Sequence, residues 1–218
     1  RLDNEILNQQ SQHWESNFSS KPEMFGLEPS YSAVKALEFF KKNNINNIIE
    51  LGAGLGRDTI FFAKNSINVH AIDYSKSAIK IIETKSKKYD LKKFIKTDIF
   101  DVRKKLKFKD ENFQACYSHM LYCMALTNQD LQNLNEEVKR VLSKNGINIY
   151  TVRNQTDGDF KKGNHRGEDL YEMNGFIVHY FSVEKIRGLL DGFSNISIEH
   201  FDEGSFPRKL TMVINRKI

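Results

Sequence analysis

Residues 48–57 read Ile-Ile-Glu-Leu-Gly-Ala-Gly-Leu-Gly-Arg, an apolar run that closes on Glu50 and then sets glycines at the alternate positions 52, 54 and 56. Glycine takes positive φ and lets bare backbone approach a ligand, both of which are costly for a residue with a Cβ. The spacing therefore predicts a loop pressed against a nucleotide-type molecule. A phosphate cradle would need Gly-Lys-Ser/Thr, and Arg57 follows Gly56 instead. The dinucleotide pattern G-x-G-x-x-G, started at Gly52, also finds Arg57 where its third glycine belongs. A second apolar stretch, Ile67 to Ile72, stops on Asp73, followed by Tyr74 and Ser75. An acid about 20 residues past the glycines can accept from both hydroxyls of a ribose. A third stretch, Lys93 to Thr97, ends on Asp98 and Ile99 and puts another carboxylate at a strand end.

Proton chemistry has fewer candidates. His119 follows a fourth strand, Phe113 to Ser118, and His165, His179 and Asp157 lie further along the chain; each could act as base or orienting group near pH 7 if suitably perturbed. Cys116 sits in mid-strand and Cys123 follows shortly after, positions that suit small buried thiols better than a nucleophile. The two cysteines lack Cys-x-x-Cys spacing, which argues against a disulfide framework or a structural zinc. His119, His165, Glu168 and His179 are far apart with no His-x3-His pair, so no metal site is expected.

The elements that must position these residues alternate between strand and helix. Asp58 to Asn65 reads as a helix after the glycines. Leu131, Leu134, Val138, Val141 and Leu142 recur at helical spacing, Thr127 and Asp130 form a capping-box pattern, Gly146 marks a stop, and a strand Ile147 to Val152 follows. Residues 1–45 are expected to form a helical cap, with Trp14, Phe18, Met24, Phe25 and Tyr31 ahead of an amphipathic run from Ser32 to Lys42. Residues 46–152 form the ligand-binding core. Residues 153–182 mix glycines, histidines and aromatics in a way that predicts a long loop, a lid over a pocket. Residues 183–218 supply a helix and a terminal hairpin, all within one domain.

Composition sets outer limits. With 218 residues, 39% hydrophobic and 28% charged, the chain suits a single globular, cytoplasmic domain. No apolar stretch approaches the ~18 residues that would cross a membrane. Between Lys76 and Lys109 stand 13 basic and 4 acidic side chains, more positive than the net +5 of the whole chain, so the remainder is acidic on balance. This basic face lacks the interleaved aromatics that stack bases, and nucleic acid is not the expected partner.

The form Glu50-x-Gly52-x-Gly54-x-Gly56 resembles motif I of the class I S-adenosylmethionine-dependent methyltransferases. The resemblance implies an α/β fold: a Rossmann-like, doubly wound, seven-stranded and mostly parallel sheet with a reversed C-terminal strand and helices on both faces. It implies S-adenosylmethionine as cofactor and S-adenosylhomocysteine as product. Glu50, Gly52, Ala53, Gly54 and Arg57 would lie beside the methionine half, Asp73 and Tyr74 at the ribose, Asp98 on the adenine amine and Ile99 on the base face. Ser118 and His119 would stand where the fourth strand meets cofactor and acceptor. The Asn/Asp-Pro-Pro-Tyr and Pro-Cys signatures of nucleic-acid and glutamine methylation are absent there. Through Gly167-Glu168-x-x-Tyr171 and the aromatics around His179, the lid loosely resembles tellurite-resistance and thiopurine methyltransferase-like enzymes. Methyl transfer to a small-molecule thiol, amine, hydroxyl or metalloid is the resulting expectation. An RNA or protein methyltransferase using the Lys76–Lys109 face, and a non-catalytic S-adenosylmethionine-binding protein, stay open beside it.

Overall fold

The sheet begins at β1 (Asn47–Leu51), whose residues Ile48, Ile49, Glu50 and Leu51 are all buried. Such a run is what a parallel strand covered on both faces requires. The computed structural model describes residues 4–218; the first three residues of the expected cap lie outside the described residues. Ahead of β1 come α1 (Asn4–Ser20) and α2 (Tyr31–Lys42). After it the chain alternates through α3 (Arg57–Lys64), β2 (Asn68–Asp73), α4 (Lys76–Lys88) and β3 (Ile95–Ile99), then β4 (Phe113–His119), α5 (Asn128–Val141) and β5 (Leu142–Arg153). A small sheet follows, β6 (Asn164–His165), β7 (Leu170–Met173) and β8 (Phe176–His179). The chain closes with α6 (Val183–Arg187), β9 (Phe193–Glu203) and β10 (Arg208–Lys217).

The large sheet has the order β3-β2-β1-β4-β5-β10-β9. β1 pairs in parallel with β2 and β4, as do β2 with β3 and β4 with β5, while β10 runs antiparallel to both neighbours. The expected fold class and reversed last strand are both present. Strand order reverses at β1 and β4, so the loops leaving their carboxyl ends part and open a crevice between them, the usual ligand position in such sheets. One core packs α5, through Leu131, Leu134 and Val138, on Cys116, Tyr150 and Val152. The other packs α2 and α3, through Phe40 and Phe62, on Tyr117 and Ile149. Asp58 joins α3 to the start of α2 by accepting from Ser30 N, Ser30 Oγ and Tyr117 OH, each at 2.8 Å.

Three expectations change. Helix α5 ends at Val141 and passes directly into β5, so Gly146 lies within the strand instead of stopping the helix. β3 lies two residues later than the Lys93–Thr97 reading, because Ile95, Thr97 and Ile99 carry its alternation. Residues 153–182 hold the antiparallel sheet β6-β7-β8 in place of a long loop. Asn174 and Gly175 form the two-residue turn between β7 and β8 at φ 53° and 81°, and Asn-Gly is the pair that such a hairpin favours. Among the described residues no helix is long and apolar enough to cross a membrane.

Candidate active site

The glycine loop leaves β1 with Gly52, Gly54 and Gly56 at φ 65°, 54° and 82°. A Cβ on Gly52 would stand 2.8 Å from Leu121 Cδ1, and one on Gly56 2.6 Å from Ile82 Cγ1. The loop is held from two sides. Gly54 N donates to Asp73 Oδ2 at 2.9 Å, and Lys85 Nζ on α4 donates to Leu55 O at 2.9 Å. Ser75 N donates to Asp73 Oδ1 at 2.8 Å.

Three buried acids lie beneath this loop, Glu50, Asp58 and Asp73. Burial pushes Asp73 up to about 6 despite its bonds from Ser75 and Gly54. Burial, reinforced by the charge of Asp58, lifts Glu50 well above the carboxylate range, although the Thr59 hydroxyl donates to it. The neighbouring cation turns away. Arg57 reaches Phe25 O at 3.4 Å and Glu203 Oε1 at 3.7 Å.

These groups line a cavity of about 480 Å³ that runs along the carboxyl ends of the strands. The chain that follows β3 lines it with Phe100, Asp101, Val102 and Arg103. Arg103 donates to Asp101 at 3.1 and 2.7 Å and to Asn8 Oδ1 on α1 at 2.9 Å. Burial would raise the Asp101 carboxyl, but the Arg103 guanidinium outweighs it and holds the group below its usual value. The roof is built by α1 and the small sheet. Gln10 donates to Gly175 O at 2.8 Å and accepts from Ile177 N at 3.1 Å, and Trp14 meets Phe176 at 4.8 Å between ring centroids. Glu15 fixes α1 to the start of α4 through the hydroxyls of Ser75 and Ser77. At the far end stand His119, Arg153, Tyr171, Tyr180, Glu203 and Arg208.

Glu50, Gly52, Ala53, Gly54, Arg57, Asp73, Tyr74 and His119 meet around this cavity. Asp98, Ile99, Ser118, His165 and His179 lie outside it. Because β3 extends to Ile99, Asp98 is a ladder residue opposite Ile72 and its Oδ2 lies 2.5 Å from His70 Nε2, while Ile99 is half exposed on the edge strand. Asp101 is the acid at the cavity instead. Ser118 is fully buried within the sheet. His165 is exposed, stacks on Tyr171 at 4.8 Å and lies 2.8 Å from Glu168 O. Asp157 is engaged by Arg153 at 2.7 Å and by Lys209 N at 2.9 Å, so it serves the β5–β10 junction. Among the described residues no group of three or more His, Cys, Asp or Glu could hold a metal ion.

His179 is a core residue. Its Nδ1 lies 2.7 Å from Leu126 O, its Nε2 meets Lys185 Nζ, and Lys185 pairs with Asp169 at 3.1 Å. Burial, then the Lys185 charge, push it down to about 4, so it is neutral at pH 7. Nδ1–H donates to the carbonyl while Nε2 accepts from the ammonium. His179→Ala is expected to cost about 2–4 kcal/mol of stability through the cavity and the orphaned partners, with cofactor affinity retained. Denaturant unfolding beside calorimetric titration checks this; wild-type stability with lost turnover would return His179 to the chemistry.

The sequence reading missed Asp101, Arg103, Gln10 and Glu203. The β-branched alternation of β3 and the Asn174-Gly175 pair were available signals for two of these placements. Nothing local marked Glu203, which lies 84 residues from its partner His119.

Comparison with known proteins agrees with this geometry. Residues 48–146 match the family described as "Methyltransferase domain". No curated protein matches the sequence. Among solved structures, Burkholderia thailandensis 1,6-didemethyltoxoflavin-N1-methyltransferase, with 1,6-didemethyltoxoflavin and S-adenosylhomocysteine bound, is similar over 100% of this chain and 91% of its own, at 14% identity and TM-score 0.77. An S-adenosylmethionine-dependent methyltransferase from Clostridium acetobutylicum covers 97% and 98% at 13% identity and TM-score 0.70. TehB from Haemophilus influenzae covers 94% and 67% at 14% identity and TM-score 0.68. Residues 48–146 are thus a methyltransferase domain, and the fold that carries it is that of the class I S-adenosylmethionine-dependent methyltransferases.

Proposed function

We propose that this chain transfers the methyl group of S-adenosylmethionine to a small molecule held between the strand ends and the small sheet. The cofactor fits the residues present. Glu50, Asp58 and Asp73 form a buried acidic group with the adjacent Arg57 turned aside, a setting that favours a ligand bearing positive charge. Asp73 would accept from the ribose hydroxyls. Tyr74, Asp101 and Val102 would border the base, and Glu50 with the glycine loop the methionine end. When bound, the cofactor supplies a sulfonium methyl already activated toward a nucleophile. The chain's remaining task is to hold an acceptor about 3 Å away and in line, and to keep water out.

The observation that carries the small-molecule reading is the roof. Gln10 and Trp14 on α1 meet the β7–β8 hairpin above the cavity, whose volume lies in the range of roughly 300–1,000 Å³ usual for small ligands. Tyr171, Phe176 and Tyr180 give the acceptor end apolar walls. The full-length likeness to an enzyme whose name carries a small heterocyclic acceptor supports the same reading.

The test is transfer of labelled methyl from S-adenosylmethionine into a cell extract separated into small-molecule, nucleic-acid and protein fractions. Label is expected in the small-molecule fraction. Label in RNA or protein would overturn the reading in favour of the Lys76–Lys109 face, and bound cofactor with no label in any fraction would favour a binding protein.

A further inference from the structure

His119 is the histidine at the cavity, yet both of its ring nitrogens are engaged. The Glu203 carboxylate beside Nε2 can only accept, so in the neutral ring Nδ1 accepts from the Thr151 hydroxyl at 2.7 Å, while Thr151 Oγ1 accepts the Met120 amide at 2.9 Å. Nε2 then carries the ring proton and donates it to Glu203 Oε1 at 3.1 Å. As an imidazolium, the ring would donate through both nitrogens to the same two partners. In neither form does it keep a free lone pair for an incoming proton.

Glu203 does keep one. Its contacts with His119 and Arg57 both fall on Oε1, and among the described residues Oε2 has no hydrogen bond or ion pair. The residue ends β9 and lines the cavity with groups from β4, β5 and β10, while the glycine loop, Asp73 and Asp101 follow β1, β2 and β3 at the other end of the sheet order. The charges facing it are His119 from β4, Arg57 from α3 and Arg208, its ladder partner on β10. Burial would raise the carboxyl, but the hydrogen bond from His119 and the charges of His119, Arg57 and Arg208 hold it below the usual value. The carboxylate at the cavity wall is therefore ionised at neutral pH, with Oε2 not engaged among the described residues.

Building on the small-molecule reading, we propose that Glu203 takes the proton of the acceptor, that His119 is the positioning residue that aims it, and that the acceptor is a nitrogen nucleophile bearing hydrogen. In the transfer, nitrogen forms a bond to the methyl carbon as the carbon–sulfur bond breaks and its electron pair stays on sulfur. Nitrogen becomes positively charged, its N–H becomes acidic, and the proton passes to Glu203 Oε2 and then to solvent. A carboxylate of low basicity suffices for that proton. It would be a poor base for a neutral hydroxyl, and it would repel a thiolate or an oxyanion.

The experiment supplies S-adenosylmethionine with a carbon-13 methyl to the small-molecule fraction, using wild type, Glu203→Gln and His119→Gln. The carbon shift of the product identifies the methylated atom, and calorimetry follows cofactor affinity. The expected product carries N-methyl, with Glu203→Gln slowing turnover about 10²-fold at unchanged cofactor affinity. His119→Gln should slow turnover less than Glu203→Gln does and move the acid limb of the pH–rate profile upward, since one group holding the carboxylate low is gone. Methyl on sulfur or oxygen, or wild-type turnover by Glu203→Gln, overturns the assignment of Glu203; an unmoved acid limb overturns the positioning role of His119. Bound cofactor with no labelled small molecule would instead sink the small-molecule reading, and this assignment with it.

Discussion

Asp73→Ala is expected to weaken S-adenosylmethionine binding about 10²–10⁴-fold, from the loss of two charge-assisted hydrogen bonds to the ribose at about 1.5–3 kcal/mol each. The fold should survive. Alanine orphans Gly54 N and Ser75 N, but it also removes a carboxyl that burial lifts from 3.8 to about 6. Below pH 3.8 that carboxyl is protonated folded or unfolded and costs nothing. Between there and pH 6 it ionises only in the unfolded chain, and above 6 the penalty is full, about 3 kcal/mol. Stability of the free protein from this group therefore falls as pH rises through that window. Cofactor binding has the opposite slope, because a diol and a cationic ligand need the ionised form. Affinity should rise up to tenfold per pH unit below about 6 and level off above it. Calorimetry across this range, with thermal melts beside it, checks both slopes; cofactor bound by Asp73→Ala as by wild type would remove the ribose from this position.

The position of Asp73 at the cavity was legible in the sequence because its signal is local: an alternating strand, an acid at its end, a capping serine two residues on. The reversed β10 was likewise visible, as two apolar runs joined by a short polar turn near the end of the chain. Asp98 shows where such reading slips. A two-residue error in placing β3 moves a carboxylate from the cavity into the ladder, and Asp101, three residues later, stands at the cavity in its place. Helix α1 was harder, since its apolar residues Trp14 and Phe18 line a cavity rather than pack on the sheet, and only part of its face is buried. The small sheet was hidden by its own composition: glycines and histidines suggest loop, yet Asn174-Gly175 closes a hairpin whose Leu170, Ile177 and Val178 are buried. The pairing of His119 with Glu203 depends on where the last hairpin ends relative to β4, a tertiary fact with no local pattern.

Gly56→Val tests the other half of the loop, and its effect should fall on stability. All three glycines hold positive φ, so any side chain there costs about 1–3 kcal/mol of backbone strain. What separates them is the neighbour. At Gly54 a Cβ would come no closer than 3.6 Å to Phe18, and at Gly52 it would meet the tip of Leu121, a partly buried side chain that can swing aside. At Gly56 it would lie 2.6 Å from Cγ1 of Ile82, which is fully buried in the core between α4 and the sheet. Overpacking there adds about 1–3 kcal/mol, for a total of about 2–6 kcal/mol in a protein whose whole stability is of order 5–15. At roughly 2–4 °C per kcal/mol for a chain of this size, the melting temperature should drop by about 5–20 °C. Gly54→Val should lose less stability and more cofactor affinity, because its new methyl groups enter the cavity beside Phe18 rather than the core. Equal melting temperatures for the two variants would mean that α4 yields at Ile82, and that the loop is held by Lys85 and Asp73 alone.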